Sequence, residues 1–150
     1  MCDAKAYLKK LELADVHINN KLNDLQNLRT MVTKITSTIS PVSVSGSGSQ
    51  DKIGDTVAKI VDLQNEINDK IDRYVDLKRE VSALIDQIQE PDQVKVLYKR
   101  YIEYKPLELI AIEMSCTYRN ICYIHGKALQ AVEALLKGCE VNGKQSVASI

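Results

Sequence analysis

One run of polar side chains in this 150-residue chain has the types and spacing to read a base pair. Thr117, Tyr118, Arg119 and Asn120 are consecutive; Tyr123 follows, and Lys127 lies one helical turn beyond it. An arginine can donate two hydrogen bonds to guanine O6 and N7, and an asparagine can pair in the same two-point way with adenine N6 and N7. Arg119 and Asn120 are therefore the candidate base readers. Thr117 suits an N-cap, where its hydroxyl accepts an orphan backbone N–H. The helix end it opens suits a phosphate. Tyr118 belongs to the same exposed turn, Tyr123 could meet a thymine methyl or a phosphate, and Lys127 extends the row. The alternative is a polar helix face that touches only water.

A second group interleaves Tyr98, Tyr101 and Tyr104 with Lys99, Arg100 and Lys105. Alternating aromatics and cations can hold a phosphate backbone or a single strand. Tyrosines so placed more often pack between helices with their hydroxyls in water, which is the expectation for Tyr98 and Tyr101. Lys99, Arg100 and Lys105 stand as candidate backbone contacts.

Catalysis and metal binding find no such support. His17 and His125 are 108 residues apart, and neither has an acid or a nucleophile patterned around it. Glu103, Glu108 and Glu113 read as solvated helix positions. No phosphate-binding glycine loop and no HExxH motif occurs. Cys2, Cys116, Cys122 and Cys139 form no CxxC and have no histidine at ligand spacing, so no metal site is expected. The chain reads as a non-enzyme without a cofactor.

The residues that position this chemistry form the stretch Pro106 to Leu129. Leu107, Ile110, Ala111 and Met114 follow the three-and-four spacing of one helix face, and Pro106 suits a first turn. Ile121, Ile124, Ala128, Leu129 and Val132, then Leu135 or Leu136, make the inner face of a second helix. Only Ser115 and Cys116 separate Met114 from Thr117, so the two helices must meet at a sharp corner. That is the pattern of a helix-turn-helix, whose second helix enters the major groove of DNA.

The spacing resembles region 4 of the sigma-70 family. Leu107, Ile110 and Ala111 match its L-x-x-I-A/G start; Thr117, Ile121, Ile124, Lys127, Ala128 and Leu129 match the helix after the turn. The run Val96 to Ile102, VLYKRYI, resembles the L-x-x-R-Y helix that precedes it. Joined to a long polar helical half, the module is similar to small late-gene transcription regulators of phages and prophages, the ArpU-like group. The match covers about 45 of the 150 residues. It implies a transcription regulator of phage or prophage origin, acting on double-stranded DNA with RNA polymerase. Two departures stand out. Tyr118, Cys122 and Tyr123 occupy positions where sigma factors carry an arginine-rich string, so a −35 promoter element is not implied. Ser115 replaces the usual turn glycine, and a left-handed non-glycine residue costs on the order of 1 kcal/mol.

The first half of the chain reads as assembly. The apolar positions Leu8, Leu11, Ile18, Leu22, Leu25, Leu28, Val32, Ile35 and Ile39 predict one long amphipathic helix from about Asp3 to Ile39. Ile53, Val57, Ile60, Gln64, Ile67, Ile71 and Tyr74 predict a second, over about 51–88, with a heptad seam that continues through Leu77, Val81, Leu84 and Ile88. Residues 40–50, SPVSVSGSGSQ, read as a flexible connection. Neither helix can bury its stripe alone. An antiparallel hairpin that pairs with a second copy is the simplest solution, and a parallel dimer through one helix is the other. A homodimer through the long helices follows from either. Glu90-Pro91 ends this region, helix three spans Asp92 to Tyr104 with Val94, Leu97, Tyr98, Tyr101 and Ile102 inward, and Gly138 should cap the last helix. The expected organisation is all-α: an oligomerisation region over 1–90, a helix-turn-helix domain over 91–137 and a disordered tail over 138–150.

Composition agrees with long helices. The chain has no Phe and no Trp, and only three Pro. Formal net charge is zero; residues 1–90 carry 12 basic and 14 acidic side chains, and residues 91–150 carry 8 and 6. So weak an asymmetry predicts modest DNA affinity per module, and it keeps two rivals in play. One is a small terminase-like packaging subunit, which would form a ring. The other is a module that binds RNA polymerase without touching DNA. No run is long and apolar enough for a membrane span and no leader is recognisable at Met1 to Lys10, so a cytoplasmic protein with free thiols and no membrane partner is expected.

Overall fold

The computed structural model describes residues 3–38 and 47–145. Its regular structure is all helical, with no strand among those residues. The order is α1 (Ala4–Thr38), α2 (Ser47–Asp86), α3 (Pro91–Leu97), α4 (Leu107–Glu113) and α5 (Tyr118–Gln145). A π-helical turn, Tyr98–Ile102, prolongs α3. The long helices α1 and α2 run antiparallel and pack together, and the shorter helices follow as a C-terminal cluster. Of the two topologies open to the apolar stripes, the chain takes the antiparallel one.

Two compact units divide the chain: Ala14–Tyr74, and Met1–Leu13 with Val75–Ile150. The division crosses both long helices. Within Ala14–Tyr74, Ile18 and Leu25 of α1 and Ile67 of α2 are buried, and Lys21 Nζ lies 3.4 Å from Glu66 Oε1. Ile53, Ile60, Gln64 and Tyr74 on the heptad seam are half-buried. Leu22, Val57 and Ile71 remain exposed, against the expectation for their stripes. One partner helix covers only part of an apolar stripe, so the flanking positions stay in water.

The other unit holds the larger core. Leu8 and Leu11 of α1, Val81, Leu84 and Ile85 of α2, and Val96, Leu97, Tyr101 and Ile102 are buried in it. So are Ile110, Ala111, Ile121, Ala128 and Val132, the positions their helical spacing predicts. Pro91 opens α3 at its first position, with Glu90 extended before it at ψ 112° as a proline requires.

Four expectations are corrected. Ser47–Gln50 belong to α2 and not to the Ser/Gly connection; the rest of that connection, with Ile39, lies outside the described residues. α5 runs on through Gly138 to Gln145, because Gly138 does not take the left-handed conformation that would cap it. The remainder of the expected tail, 146–150, lies outside the described residues. Tyr98 is 45% exposed and Val96 is buried. The wide turn explains the exposure of Tyr98, against the expectation that it faces inward. Glu103 N–H donates to Tyr98 O five residues back, at 3.1 Å. With an extra residue in the turn, Leu97 and Ile102 share the inner face, where an α-helix would pair Tyr98 with Ile102. Glu113 is the fourth correction, and it belongs to the site.

Candidate nucleic-acid interface

A Schellman motif makes the corner between α4 and α5. Cys116 N–H donates to Ala111 O (2.9 Å), and Ser115 N–H donates to Ile112 O (3.2 Å). This is the paired 6→1 and 5→2 arrangement of a helix whose next residue is left-handed, and Ser115 has φ 54°. Cys116 and Met114 pack on the cluster of Val96, Ile110, Ala111 and Ile121, which seals the inside of the corner. Thr117 then caps α5: its Oγ1 accepts from Asn120 N–H at 3.2 Å, and its carbonyl accepts from Ile121 N–H at 3.1 Å.

Capping here and burial of Ile121, Ala128 and Val132 turn the opposite side of α5 to solvent. Thr117, Tyr118, Arg119, Asn120, Tyr123 and Lys127 are all exposed, Tyr118 to 52% and Tyr123 to 64%. Lys127 Nζ stands over the Tyr123 ring, 5.8 Å from its centroid. Cys122 pushes the Tyr118 hydroxyl up from its ordinary value, chiefly through a hydrogen bond between the two. Thus all six residues singled out on this helix are exposed to solvent.

The cations of the second group are placed differently. Lys99 Nζ lies 2.7 Å from Glu113 Oε2, and Lys105 Nζ lies 2.8 Å from Glu113 Oε1 and 3.0 Å from Glu103 Oε2. Glu113 therefore joins two lysines instead of standing solvated on its own, and Glu103 also has a partner. Hydrogen bonds donated by Lys105 and Lys99 hold the Glu113 carboxyl below its usual range; those that Lys105 donates to Glu113 and Glu103 hold Lys105 above its own. No such spacing is recognisable in the sequence, because the turn at Tyr104 (φ 58°) is what brings Lys105 back toward α4. Arg100 has no carboxylate partner among the described residues. Its guanidinium sits 5.6 Å from the Tyr101 ring centroid, and Nη1 donates to Lys105 O at 3.5 Å.

Sequence reasoning missed His125. Its Nε2 is 2.8 Å from the Tyr101 hydroxyl, and the two rings stack with centroids 5.7 Å apart and planes inclined by 22°. Burial pushes the Tyr101 hydroxyl up to about 12. Burial, and then the charges of Arg100 and Lys5, push the His125 imidazole below its ordinary value. A neutral imidazole with its proton on Nδ1 can accept the phenolic proton at Nε2. Also missed were Lys5 and Lys9, on the first turns of α1. With Arg100, Tyr118 and His125 they line a cleft of about 230 Å³. Nothing in one chain's sequence signals that residues 91 to 120 positions apart converge.

A second cleft, about 270 Å³, flanks the other side of α5 and is lined by Glu90, Asp92, Gln93, Tyr123, Ile124 and Lys127. The surface around α5 is thus cationic on the Tyr118 side and carries two carboxylates on the Tyr123 side. No group of three or more His, Cys, Asp or Glu side chains is placed to hold a metal among the described residues. No helix among them is long and apolar enough to cross a membrane. Compared with known protein families, curated proteins and solved structures, the chain matches none.

Proposed function

We propose that the chain is a sequence-specific, double-stranded DNA-binding transcription regulator of phage or prophage type, acting with RNA polymerase. α4 and α5 would form its helix-turn-helix in the manner of sigma region 4. The observation that carries the reading is the exposed first turn of α5. A tight corner and a Thr117 cap hold that turn rigidly, with Arg119 and Asn120 free in solvent. Side chains with two-point base chemistry on a rigid helix end are what major-groove readout needs. The late-gene assignment rests on the residue pattern described above.

Dimerisation through the hairpin is part of the proposal. Val16, Leu22 and Met31 of α1, and Val57, Val61 and Ile71 of α2, leave large apolar side chains in water on Ala14–Tyr74. A second copy would cover them, as in a four-helix bundle, and would set two recognition helices on half-sites about 34 Å apart.

A second reading is favoured by α4. Its outer face exposes Ile112 to 75% and Leu109 to 39%, while Glu113 neutralises the nearby Lys99 and Lys105. An apolar face beside paired charges suits a protein surface such as RNA polymerase better than a phosphate backbone.

Selection of bound sites from random duplexes, with wild type and Arg119→Ala in parallel, tests the main reading. The variant should lose about 1–3 kcal/mol of specific binding and relax its preference at one base position. Equal affinity and equal preference would remove Arg119 as a base reader. If wild type selects no sequence yet binds polymerase, the second reading takes its place. The mass of the DNA complex separates a dimer from the ring expected of a packaging subunit.

A further inference from the structure

We propose that the cleft lined by Lys5, Lys9, Arg100, Tyr118 and His125 seats a phosphodiester of the DNA backbone, next to the base pairs that α5 reads. The inference rests on the DNA-binding reading and adds to it a site on the first turns of α1, outside the helix-turn-helix.

Charge pairing makes the first argument. Lys99 and Lys105 are consumed by Glu113 and Glu103. Lys5, Lys9 and Arg100 have no carboxylate partner among the described residues, and Glu108 is the one carboxylate that lines their cleft. Three cations facing one anion leave an excess that a phosphodiester neutralises. Size is the second argument. At about 230 Å³ the cleft holds several water volumes of about 30 Å³ each, enough for a tetrahedral oxyanion with part of its hydration. Donor chemistry is the third. The cleft presents the ammonium groups of Lys5 and Lys9 and the guanidinium of Arg100, and phosphate oxygens accept hydrogen bonds from all of them. His125 disfavours a proton chiefly through burial, and the charges of Arg100 and Lys5 act in the same direction.

Position decides that the phosphate belongs to the duplex being read. Tyr118 lines the cleft and directly precedes Arg119, so an anion seated there lies one residue from the candidate base readers. On the far side of α5, Glu90 and Asp92 line the cleft beside Tyr123 and Lys127 and repel phosphate. The backbone is therefore held on the Tyr118 side.

The test is a salt series with the full-length chain and a duplex of about 25 base pairs, followed by fluorescence anisotropy. Each phosphate neutralised contributes about −0.9 to the slope of log K against log salt. A Lys5→Gln, Lys9→Gln variant should lose roughly one phosphate contact. Between 50 and 200 mM salt its affinity would then fall about 3- to 4-fold less than that of wild type, with base preference unchanged. Both lysines are exposed, so the variant should fold, and circular dichroism checks it. In wild type the His125 ring signals should also shift when duplex is added. A Lys78→Gln, Arg79→Gln variant, at two exposed cations of α2, should keep the wild-type slope. Wild-type slope and affinity in the cleft variant would overturn the site and leave the DNA reading intact. An equal loss of slope in both double variants would show diffuse charge and overturn it too. No duplex binding by wild type would bring down the DNA reading and this proposal with it.

Discussion

Replacing Ser115 by glycine should stabilise the protein, and the size of the gain can be worked from the corner itself. Ser115 has φ 54°, where an L side chain brings Cβ against the following carbonyl at a cost of about 1–2 kcal/mol. Glycine removes that cost. It also frees the unfolded chain, which takes back about 0.4–1 kcal/mol. Little else changes. The Schellman bonds are donated by the Ser115 and Cys116 backbone N–H groups, both kept in the variant, and the Ser115 hydroxyl has no partner among the described residues. The net expectation is a gain of about 0.5–1 kcal/mol, or roughly 2 °C in melting temperature for a chain of this length. Urea unfolding should show a higher midpoint at an unchanged m-value. Ser115→Ala should stay near wild type, because alanine keeps the offending Cβ. Ser115→Val should lose stability, because a β-branched side chain fits the left-handed region worst. A glycine variant no more stable than the alanine variant would mean that the corner holds no strain. Equal midpoints for glycine and valine would mean that residue 115 is not left-handed at all.

Two further outcomes follow from the same unit. Ile121 is fully buried against Val96, Ile110 and Ala111, so Ile121→Ala should cost about 2–5 kcal/mol in urea unfolding; Ile112→Ala, on the exposed face of α4, should stay within about 0.5 kcal/mol. His125 should make stability depend on pH. Its folded imidazole is harder to protonate than the unfolded one, so the unfolded chain binds the proton first as pH falls. Its contribution is complete above the unfolded value near 6.5 and is lost as pH drops from there through the folded value. Because the ring is only half-buried, the loss stays well below the limit of about 1.4 kcal/mol per pH unit for one full proton. His125→Gln should flatten that part of the curve, and an unchanged curve would show that His125 titrates alike in both states.

The helices themselves were legible as periodicity, because which residues can share a helix face is a local property. Leu8, Leu11 and Ile18 lie on the buried side of α1, and Ile110, Ala111, Ile121, Ala128 and Val132 on the buried sides of α4 and α5, as their spacing predicts. The Thr117 cap and the strained Ser115 were also legible, since both follow from a residue type at a fixed offset from a helix end. Where α3 widens into a π-turn, periodicity misassigned Tyr98, because one inserted residue turns the face by most of a helical step.

Sequence alone determined the two long amphipathic helices, the corner at Ser115 and Cys116, and the polar turn that follows it. Each depends on neighbours within a few residues. Tertiary structure decided that α1 and α2 run antiparallel, that Glu113 pairs with Lys99 and Lys105, and that His125 meets Tyr101. It also gathered Lys5 and Lys9 from the start of the chain beside Arg100 and Tyr118. Those pairings join residues between 8 and 113 positions apart, and the energy that selects them comes from burying one shared core, which no local pattern of residues encodes.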